Sequence, residues 1–133
     1  MRGYLIDSSI FVAVLRGKDD ARKLLTSIEG EIVTSSICLA ELYEGIFRSK
    51  KQVEDEKNLL ELLSTLGGIL SFDSQDAKAF GKLSVRLAQK PIPDMDLQIA
   101  ATCLEHRLTL VTYDIQHFDG IESLSLHKLP EKN

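Results

Sequence analysis

The stretch PDMDLQIAATCLEHRLTLVTYD, residues 93–114, decides the fold of this chain. Its proline is followed by Asp94, which we expect to cap a helix that runs to His106. A run rich in apolar and β-branched residues comes directly after that helix, at 108–112, and is the clearest strand in the sequence. A helix of this length that leads straight into a short strand is typical of α/β folds, in which helical crossovers join parallel strands.

The same alternation extends from this stretch to the rest of the chain. Apolar runs predict strands at 4–6, 31–33 and 69–72, with a last short strand near 123–126. Helical patterns between them predict helices at 8–16, about 19–28, 36–48, 53–66 and 74–89. We therefore expect a three-layer α/β/α sandwich with a short parallel central sheet, in which 36–66 forms a protruding helical hairpin. The Pro-Ile-Pro segment at 91–93 predicts a stiff, extended loop.

Size and composition limit the class of protein. With 133 residues, the chain fits one domain spanning 1–133 and can bury a core without disulfides or structural metals. Cys38 and Cys103 lie far apart in apolar segments, and we expect both to be reduced and buried. No secretory signal is recognisable, and no run approaches the roughly 20 apolar residues of a membrane helix. We expect a soluble, cytoplasmic protein.

Four carboxylates are predicted to meet at one edge of this sheet. Asp7 ends the first strand and Asp114 follows the strand at 108–112, so both project beyond the carboxyl ends of parallel strands. Asp96 lies in the first turn of the preceding helix, and Glu41 lies within the helix that follows the second strand. Clustered anions resist burial unless a cation neutralises them, and Mg²⁺ and Mn²⁺ prefer such oxygen ligands.

Each of these acids also has a purely structural interpretation. Asp7 could cap the next helix, Asp96 could be a surface acid favoured by the helix dipole, and Asp114 could open a turn. Glu41 is harder to explain in that way, because it falls on or beside the apolar face of its helix and its i+4 neighbour is Gly45, which offers no salt bridge.

The net charge of −4 does not decide whether nucleic acid is the partner. Setting the four acids aside from the total of 20 leaves as many acids as the 16 lysines and arginines. The histidines show no metal-ligand spacing, and we expect each to be a surface or capping residue. A magnesium-dependent phosphatase would need a second acid two residues after its nucleophilic aspartate, where Ser9 stands here.

Several stretches together resemble the PIN-domain family, and within it the VapC-like toxins of VapBC toxin–antitoxin pairs. They are LIDSS at 5–9, LAELYEG at 39–45, PDMDLQIAATCLEH at 93–106, and LTLVTYD at 108–114 followed by His117 and Phe118. Each is a weak signal alone, but their order and spacing are specific, and together they span nearly the whole chain.

The resemblance implies a metal-dependent ribonuclease. Asp7, Glu41 and Asp96 match the three core acidic positions of the family, and Asp114 matches the more variable fourth. By that resemblance these four residues are catalytic, Asp7 and Asp96 are expected metal ligands, and the cofactor is Mg²⁺ or Mn²⁺. Single-stranded or structured RNA is the implied substrate, and the sequence does not say which RNA is cut.

The resemblance also implies supporting residues and partners. Ser9 and Thr112 match small hydroxyl positions near the metal. The hairpin at 36–66 looks like the region where relatives form homodimers and where a VapB-like antitoxin lies across the toxin. Two alternatives stay open: a PIN-like nuclease of RNA processing, and a non-catalytic PIN module that binds RNA or protein.

Two positions depart from the family pattern. A glycine is common where Arg107 stands, so the turn into the strand at 108–112 is expected to differ locally. A basic residue is common where Tyr113 stands, so the contacts to RNA are expected to differ there, and a stacking contact between Tyr113 and a base would be one replacement.

Overall fold

The computed structural model describes residues 3–90 and 92–129, which form four strands and seven helices. The strands are β1 Gly3–Ile6, β2 Glu31–Ser35, β3 Gly68–Leu70 and β4 Thr109–Val111. The helices are α1 Ser8–Leu15, α2 Asp19–Ser27, α3 Ser36–Phe47, α4 Gln52–Leu63, α5 Ser74–Arg86, α6 Asp94–His106 and α7 Ile115–Phe118. Pro91, the first proline of the predicted stiff loop, lies outside the described residues.

The sheet is parallel throughout, with the strand order β3-β2-β1-β4. Leu5 in the middle of β1 pairs with Val33 of β2 and with Leu110 of β4. At the carboxyl end of β1, Ile6 pairs with Val111. The first and last strands of the chain therefore end side by side, and the residues that follow them start from neighbouring positions.

Helices cover both faces of the sheet, which confirms the predicted three-layer α/β/α sandwich. Side chains alternate along β1, so Leu5 belongs to one buried cluster while Tyr4 and Ile6 belong to the other. The first cluster includes buried residues of α5 and α6, namely Leu83, Leu97, Ile99, Ala100, Ala101 and Cys103. The second includes buried residues of α1 to α4, namely Ile10, Phe11, Val14, Ala21, Leu24, Leu42, Ile46 and Leu59.

The predicted helical hairpin is formed by α3 and α4, which residues 48–51 connect. Leu42 and Leu59 are buried in the second cluster and hold the hairpin against the sheet. Its outer surface keeps large apolar side chains in solvent, since Phe47, Val53 and Leu60 are all exposed. The hairpin is thus anchored on one side and open on the other.

Helix starts agree with the sequence only in part. Helices α3 and α5 begin at residues 36 and 74, as expected. Ser35 caps α3 by accepting a hydrogen bond from the Cys38 amide at 3.1 Å, and Asp73 forms a capping box with Asp76. The prediction that Asp94 caps α6 is wrong. Pro93 occupies the N-cap position, and its carbonyl accepts the first helical bond from the Leu97 amide at 3.0 Å. Asp94 is instead the first helical residue, where a negative charge suits the helix dipole.

The carboxyl-terminal region differs from the predicted elements. The expected strand near 123–126 is reduced to one bridge between Leu126 and Leu110, and the short helix α7 was not predicted. Arg107 ends α6 in the left-handed conformation, with φ 57° and ψ 45°, which a glycine would adopt without strain. Cys38 and Cys103 are free and buried, as expected. Among the described residues, no helix is long and apolar enough to cross a membrane.

Candidate metal centre

Asp7 is the most deeply placed acid of the predicted cluster, with 3% of its surface exposed. It follows β1 directly, and its backbone amide donates to the Val111 carbonyl at 2.9 Å. Its Oδ2 accepts two hydrogen bonds, from Ser9 Oγ at 2.9 Å and from Thr112 Oγ1 at 2.7 Å. The two predicted supporting residues therefore fix the orientation of this carboxylate before any ligand arrives.

Glu41 approaches Asp7 from α3. Its Oε1 accepts a hydrogen bond from Ser8 Oγ at 3.1 Å, and the side chain is half-buried. Burial is the largest cause that raises the pKa of Glu41, and the negative charge of Asp7 is the next. The charges of Asp96 and Asp114 raise it further, so Glu41 lies within electrostatic reach of the other three predicted acids.

Asp96 enters the cluster from the first turn of α6. Only 15% of its side chain is exposed, and this burial is the main reason that its pKa is raised. His117 opposes that shift from a distance of 3.1 Å between its Nδ1 and Asp96 Oδ2, while Asp7 and Asp114 add to it. The acid on α6 thus feels the same like-charge repulsion as the acid on α3.

Asp114 occupies the N-cap position of α7, but its side chain makes no capping hydrogen bond. Its backbone amide donates to Thr112 Oγ1 at 3.0 Å, and the neighbouring Tyr113 amide donates to Ser9 Oγ at 3.0 Å. The two hydroxyls that hold Asp7 therefore also hold the turn that carries Asp114. The carboxylate itself is left free to bind a ligand.

Comparison with known proteins agrees with this geometry. The family model described as PIN domain matches residues 4–122. The chain belongs to the PIN-domain family. A relative named Ribonuclease VapC2 from Rickettsia felis is 34% identical over 128 residues, covering 92% of this chain and 95% of the relative. A second, Ribonuclease VapC2 from Haemophilus influenzae, is 28% identical over 127 residues, covering 93% and 96%.

Solved structures give the same fold. The crystal structure of VapBC2 from Rickettsia felis, bound to a DNA fragment from its promoter, contains a chain with a TM-score of 0.88 and 32% identity, covering 96% of this PIN domain and 99% of that chain. A chain in the crystal structure of DNA-bound VapBC from Salmonella typhimurium has a TM-score of 0.86 and 24% identity, covering 96% of this chain and 98% of that chain. At this identity, the likeness supports the fold alone.

The donor set of this PIN domain fits a hard divalent cation. Ligand atoms of Asp7, Cys38 and Glu41 all lie within 4.8 Å of one another. Asp96 and Asp114 lie outside this group, although the negative charges of both act on Glu41. Within residues 3–90 and 92–129, no lysine or arginine forms an ion pair with any of these acids. Four like charges partly withdrawn from water, with only the His117 imidazole beside one of them, need another source of positive charge, and oxygen-rich donor sets favour Mg²⁺ or Mn²⁺.

Cys38 belongs to the surroundings of the site, although the sequence offered no reason to place it there. Its Sγ lies 3.9 Å from Asp7 Oδ1 and donates to it. Burial, followed by the charge of Asp7, raises the pKa of Cys38 to about 12. The thiol therefore stays protonated at neutral pH and is a weak donor to the Asp7 carboxylate, in addition to the two hydroxyls.

Ser8 and His117 are further residues that sequence reasoning missed. Ser8 follows Asp7 directly, and the first turn of α1 carries its hydroxyl to Glu41. His117 is exposed, as expected, and it also contacts Asp96. Both residues belong to the stretches that resemble the family, but neither was given a role there. Each also stands close to an acid, one residue after Asp7 and three after Asp114, and this closeness is too common to be specific.

Proposed function

We propose that this PIN domain is a metal-dependent endoribonuclease, a VapC-type toxin that a VapB-like antitoxin neutralises. The observation that carries the proposal is the convergence of four carboxylates, from Asp7, Glu41, Asp96 and Asp114, at the carboxyl edge of the sheet with raised pKa values at Glu41 and Asp96. Relatives of matching length named as VapC ribonucleases support the same activity. An RNA-cleaving toxin acts where RNA is present, and we place this activity in the cytoplasm.

We assign Asp7 and Asp96 as ligands of a Mg²⁺ or Mn²⁺ ion, with Glu41 and Asp114 as the further catalytic acids. When bound, such an ion lowers the pKa of a coordinated water and neutralises charge on the scissile phosphate. The protein holds the carboxylates in position before the ion binds. Oδ2 of Asp7 is fixed by two hydroxyls and Oε1 of Glu41 by one, so little side-chain motion has to be frozen when the ion and the RNA bind.

A groove beside the cluster is our candidate for the antitoxin site. It has a volume of about 230 Å³ and lies between α1, α3 and α4, with Glu41 among its lining residues. Most of the lining is apolar, including Val12, Leu15, Leu42 and Ile46. A peptide segment that packs into this groove would end at the carboxylates, and a basic side chain on it would satisfy them. Neutralisation would then be direct obstruction of the metal centre.

The outer surface of the hairpin is our candidate for homodimer contacts. Phe47, at the end of α3, is 65% exposed, and Val53 on α4 is 87% exposed. Leu60 is a second exposed large apolar residue on α4. Large apolar side chains left in solvent on one element are typical of association surfaces. Light scattering on the purified protein tests the homodimer, and Val53→Asp together with Leu60→Asp should shift it to the monomer.

The test of the activity is cleavage of labelled transfer RNA, ribosomal RNA and unstructured RNA by antitoxin-free protein with Mg²⁺, Mn²⁺ or EDTA. Cutting should require the metal and should be lost in Asp7→Asn, which preserves the size of the side chain. Glu41→Gln and Glu44→Gln form a matched pair on α3. Glu44 makes only a surface ion pair with Arg48, so its variant should cut at the wild-type rate.

The outcomes separate the alternatives. Cleavage that survives in Asp7→Asn, or that persists in EDTA, would contradict the proposed chemistry. Mn²⁺ binding without cleavage of any RNA would favour a non-catalytic module. Growth arrest on expression, relieved by the product of a small gene adjacent to this one, would distinguish a toxin from a nuclease of RNA processing.

A further inference from the structure

His117 is the one imidazole that contacts the acidic cluster in the part of the chain that the structure describes. Its Nδ1 lies 3.1 Å from Oδ2 of Asp96. The side chain of Asp96 is 15% exposed, whereas that of His117 is 44% exposed. The imidazole is therefore the more exposed member of this pair, and Asp96 is the more buried one.

The backbone of α7 fixes the position of this imidazole. The His117 amide donates to the Asp114 carbonyl at 2.9 Å, which ties α7 to the turn after β4. The next residue, Phe118, is 1% exposed and belongs to the buried cluster that also contains Leu97 of α6. The short helix is thus anchored against α6, and the imidazole is presented to Asp96 by packed structure on both sides.

Polar contacts to the neighbouring acids follow a common pattern. Glu41 accepts a hydrogen bond from the Ser8 hydroxyl, and Asp7 accepts one from the Thr112 hydroxyl. For Asp96, the described residues offer one polar side-chain partner, the imidazole on α7. Each of these three carboxylates therefore has a polar side chain beside it, and Asp96 is the one among them whose neighbour is an imidazole.

The chemistry of the pair determines which way the hydrogen points. An ionised carboxylate only accepts hydrogen bonds, so the Nδ1 that faces Oδ2 must carry its hydrogen, in the neutral imidazole as well as in the imidazolium. A donor on one carboxylate oxygen restricts rotation of the group and leaves the other oxygen, Oδ1, for the cluster. Donors placed behind metal-binding groups orient those groups in this way and raise metal affinity.

We propose that His117 is a positioning residue, which donates from Nδ1 to Asp96 and holds its carboxylate in the orientation that binds the divalent ion. The inference rests on the proposed metal centre and extends it to a residue outside the acidic quartet. A purely structural role for His117 would leave metal affinity unchanged once the protein is folded. The two roles are therefore separable by measuring metal binding and stability in the same variants.

Three substitutions separate the donor from the bulk of the ring. His117→Asn keeps an amide N–H at the same number of bonds from the backbone as Nδ1, whereas His117→Gln places its amide at the position of Nε2. His117→Ala removes both. Gln116→Ala is the matched control, because Gln116 is an exposed neighbour on the same short helix.

The measurement is calorimetric titration of Mn²⁺ into protein stripped with EDTA, with a thermal melt of each metal-free variant. His117→Ala and His117→Gln should bind Mn²⁺ roughly 10- to 100-fold more weakly, and His117→Asn should recover to within roughly threefold of wild type. Gln116→Ala should match wild type. Cleavage by His117→Ala should return at high Mn²⁺ concentration, because affinity for the ion is what the variant loses.

Two results with the variants would overturn the proposal. One is wild-type Mn²⁺ affinity in His117→Ala. The other is an affinity in His117→Asn as low as in His117→Ala, which would show that the donor at the Nδ1 position is not responsible. If wild-type protein binds no Mn²⁺, the metal centre and this inference fall together. If it binds Mn²⁺ but cuts no RNA, only the proposed ribonuclease activity is contradicted and the comparison of variants still decides the role of His117.

Discussion

Replacing Thr112 with valine removes a single hydroxyl from the centre of the site while preserving the shape of a fully buried side chain. In the wild type this hydroxyl donates to Asp7 Oδ2 at 2.7 Å and accepts from the Asp114 amide at 3.0 Å. It also lies 3.2 Å from the Ser9 hydroxyl. The substitution therefore takes a donor from a buried carboxylate and an acceptor from the turn that carries a second acid.

The expected loss follows from these contacts. A hydrogen bond to a charged group contributes about 1.5–3 kcal/mol, and leaving the backbone amide without its partner adds about 1 kcal/mol. Asp7 keeps its bond to Ser9, which limits the total. We expect Thr112→Val to lower the free energy of unfolding by about 3 kcal/mol, which for a domain of this size corresponds to a fall in Tm of about 10 °C.

The assay is urea unfolding in EDTA at neutral pH, followed by circular dichroism, with Thr102→Val as the control. Thr102 is also buried, but its hydroxyl donates to the Gln98 carbonyl one turn earlier in α6, a group that already belongs to the helical hydrogen-bond pattern. Its variant should lose only about 0.5–1 kcal/mol. RNA cleavage should fall in Thr112→Val and stay near wild type in Thr102→Val.

A difference between the two variants of less than about 0.5 kcal/mol would refute the reasoning, since this is within the ordinary effect of a surface change. It would mean that the Thr112 hydroxyl is replaceable by rearrangement and that Asp7 is not held as tightly as the geometry indicates. Loss of cleavage with unchanged stability would instead assign the hydroxyl to the reaction alone.

Three further changes probe the site and the fold. At pH 7 in EDTA, Glu41→Gln should be more stable than the wild type, and in Mn²⁺ its cleavage of RNA should fall roughly 100-fold or more. Because burial and the charge of Asp7 raise the pKa of Glu41 in the folded state, the stability that Glu41 contributes is greatest below its ordinary pKa and is lost as the pH rises through the raised pKa. The stability advantage of the variant should therefore vanish in urea titrations at lower pH. Mn²⁺ at about 100 times its Kd should stabilise the wild type by about 2.7 kcal/mol and raise its Tm by about 10 °C. The Tm of Asp7→Asn should not change at the same Mn²⁺ concentration when the two proteins are compared by scanning calorimetry. Arg107→Gly should raise the free energy of unfolding by about 0.5–1 kcal/mol in urea titrations, because the left-handed backbone at Arg107, with φ 57°, is strained for any residue with a Cβ atom. A loss of stability would show that the Arg107 side chain makes a contact that stabilises the fold by more than this strain costs.

Much of the fold was predictable because its signals are local. Runs of β-branched and apolar residues predicted the strand at 108–112 and the helix before it, and both are present as β4 and α6. The parallel sheet followed from short strands separated by long helices. The missed α7 has only four residues, too few for a periodic pattern, and the expected strand near 123–126 makes a single bridge because little of it runs beside β4. That residues 1–133 form one domain stays a prediction.

Within the candidate site, the acids were predictable and most of their partners were not. Asp7 and Asp114 could be placed because each follows a strand, and parallel strands end at the same edge of a sheet. Glu41 was marked by its place beside the apolar face of a helix. No sequence pattern predicted the contacts of Cys38 and His117 with the acids, because these contacts depend on how α3 and α7 pack. The assignment of these residues to catalysis and metal binding stays a prediction for the experiments above.

The sequence by itself determined the four strands, the helices α1 to α6, the family, and the four acids expected beside the sheet, because periodicity and strand ends are properties of short segments. Tertiary structure alone decided that β1 lies between β2 and β4, so that Asp7 meets Thr112 from across the chain. It also decided which donors restrain each carboxylate. These contacts join residues up to 105 positions apart, and their geometry is set by crossover packing and strand register, which no local pattern encodes.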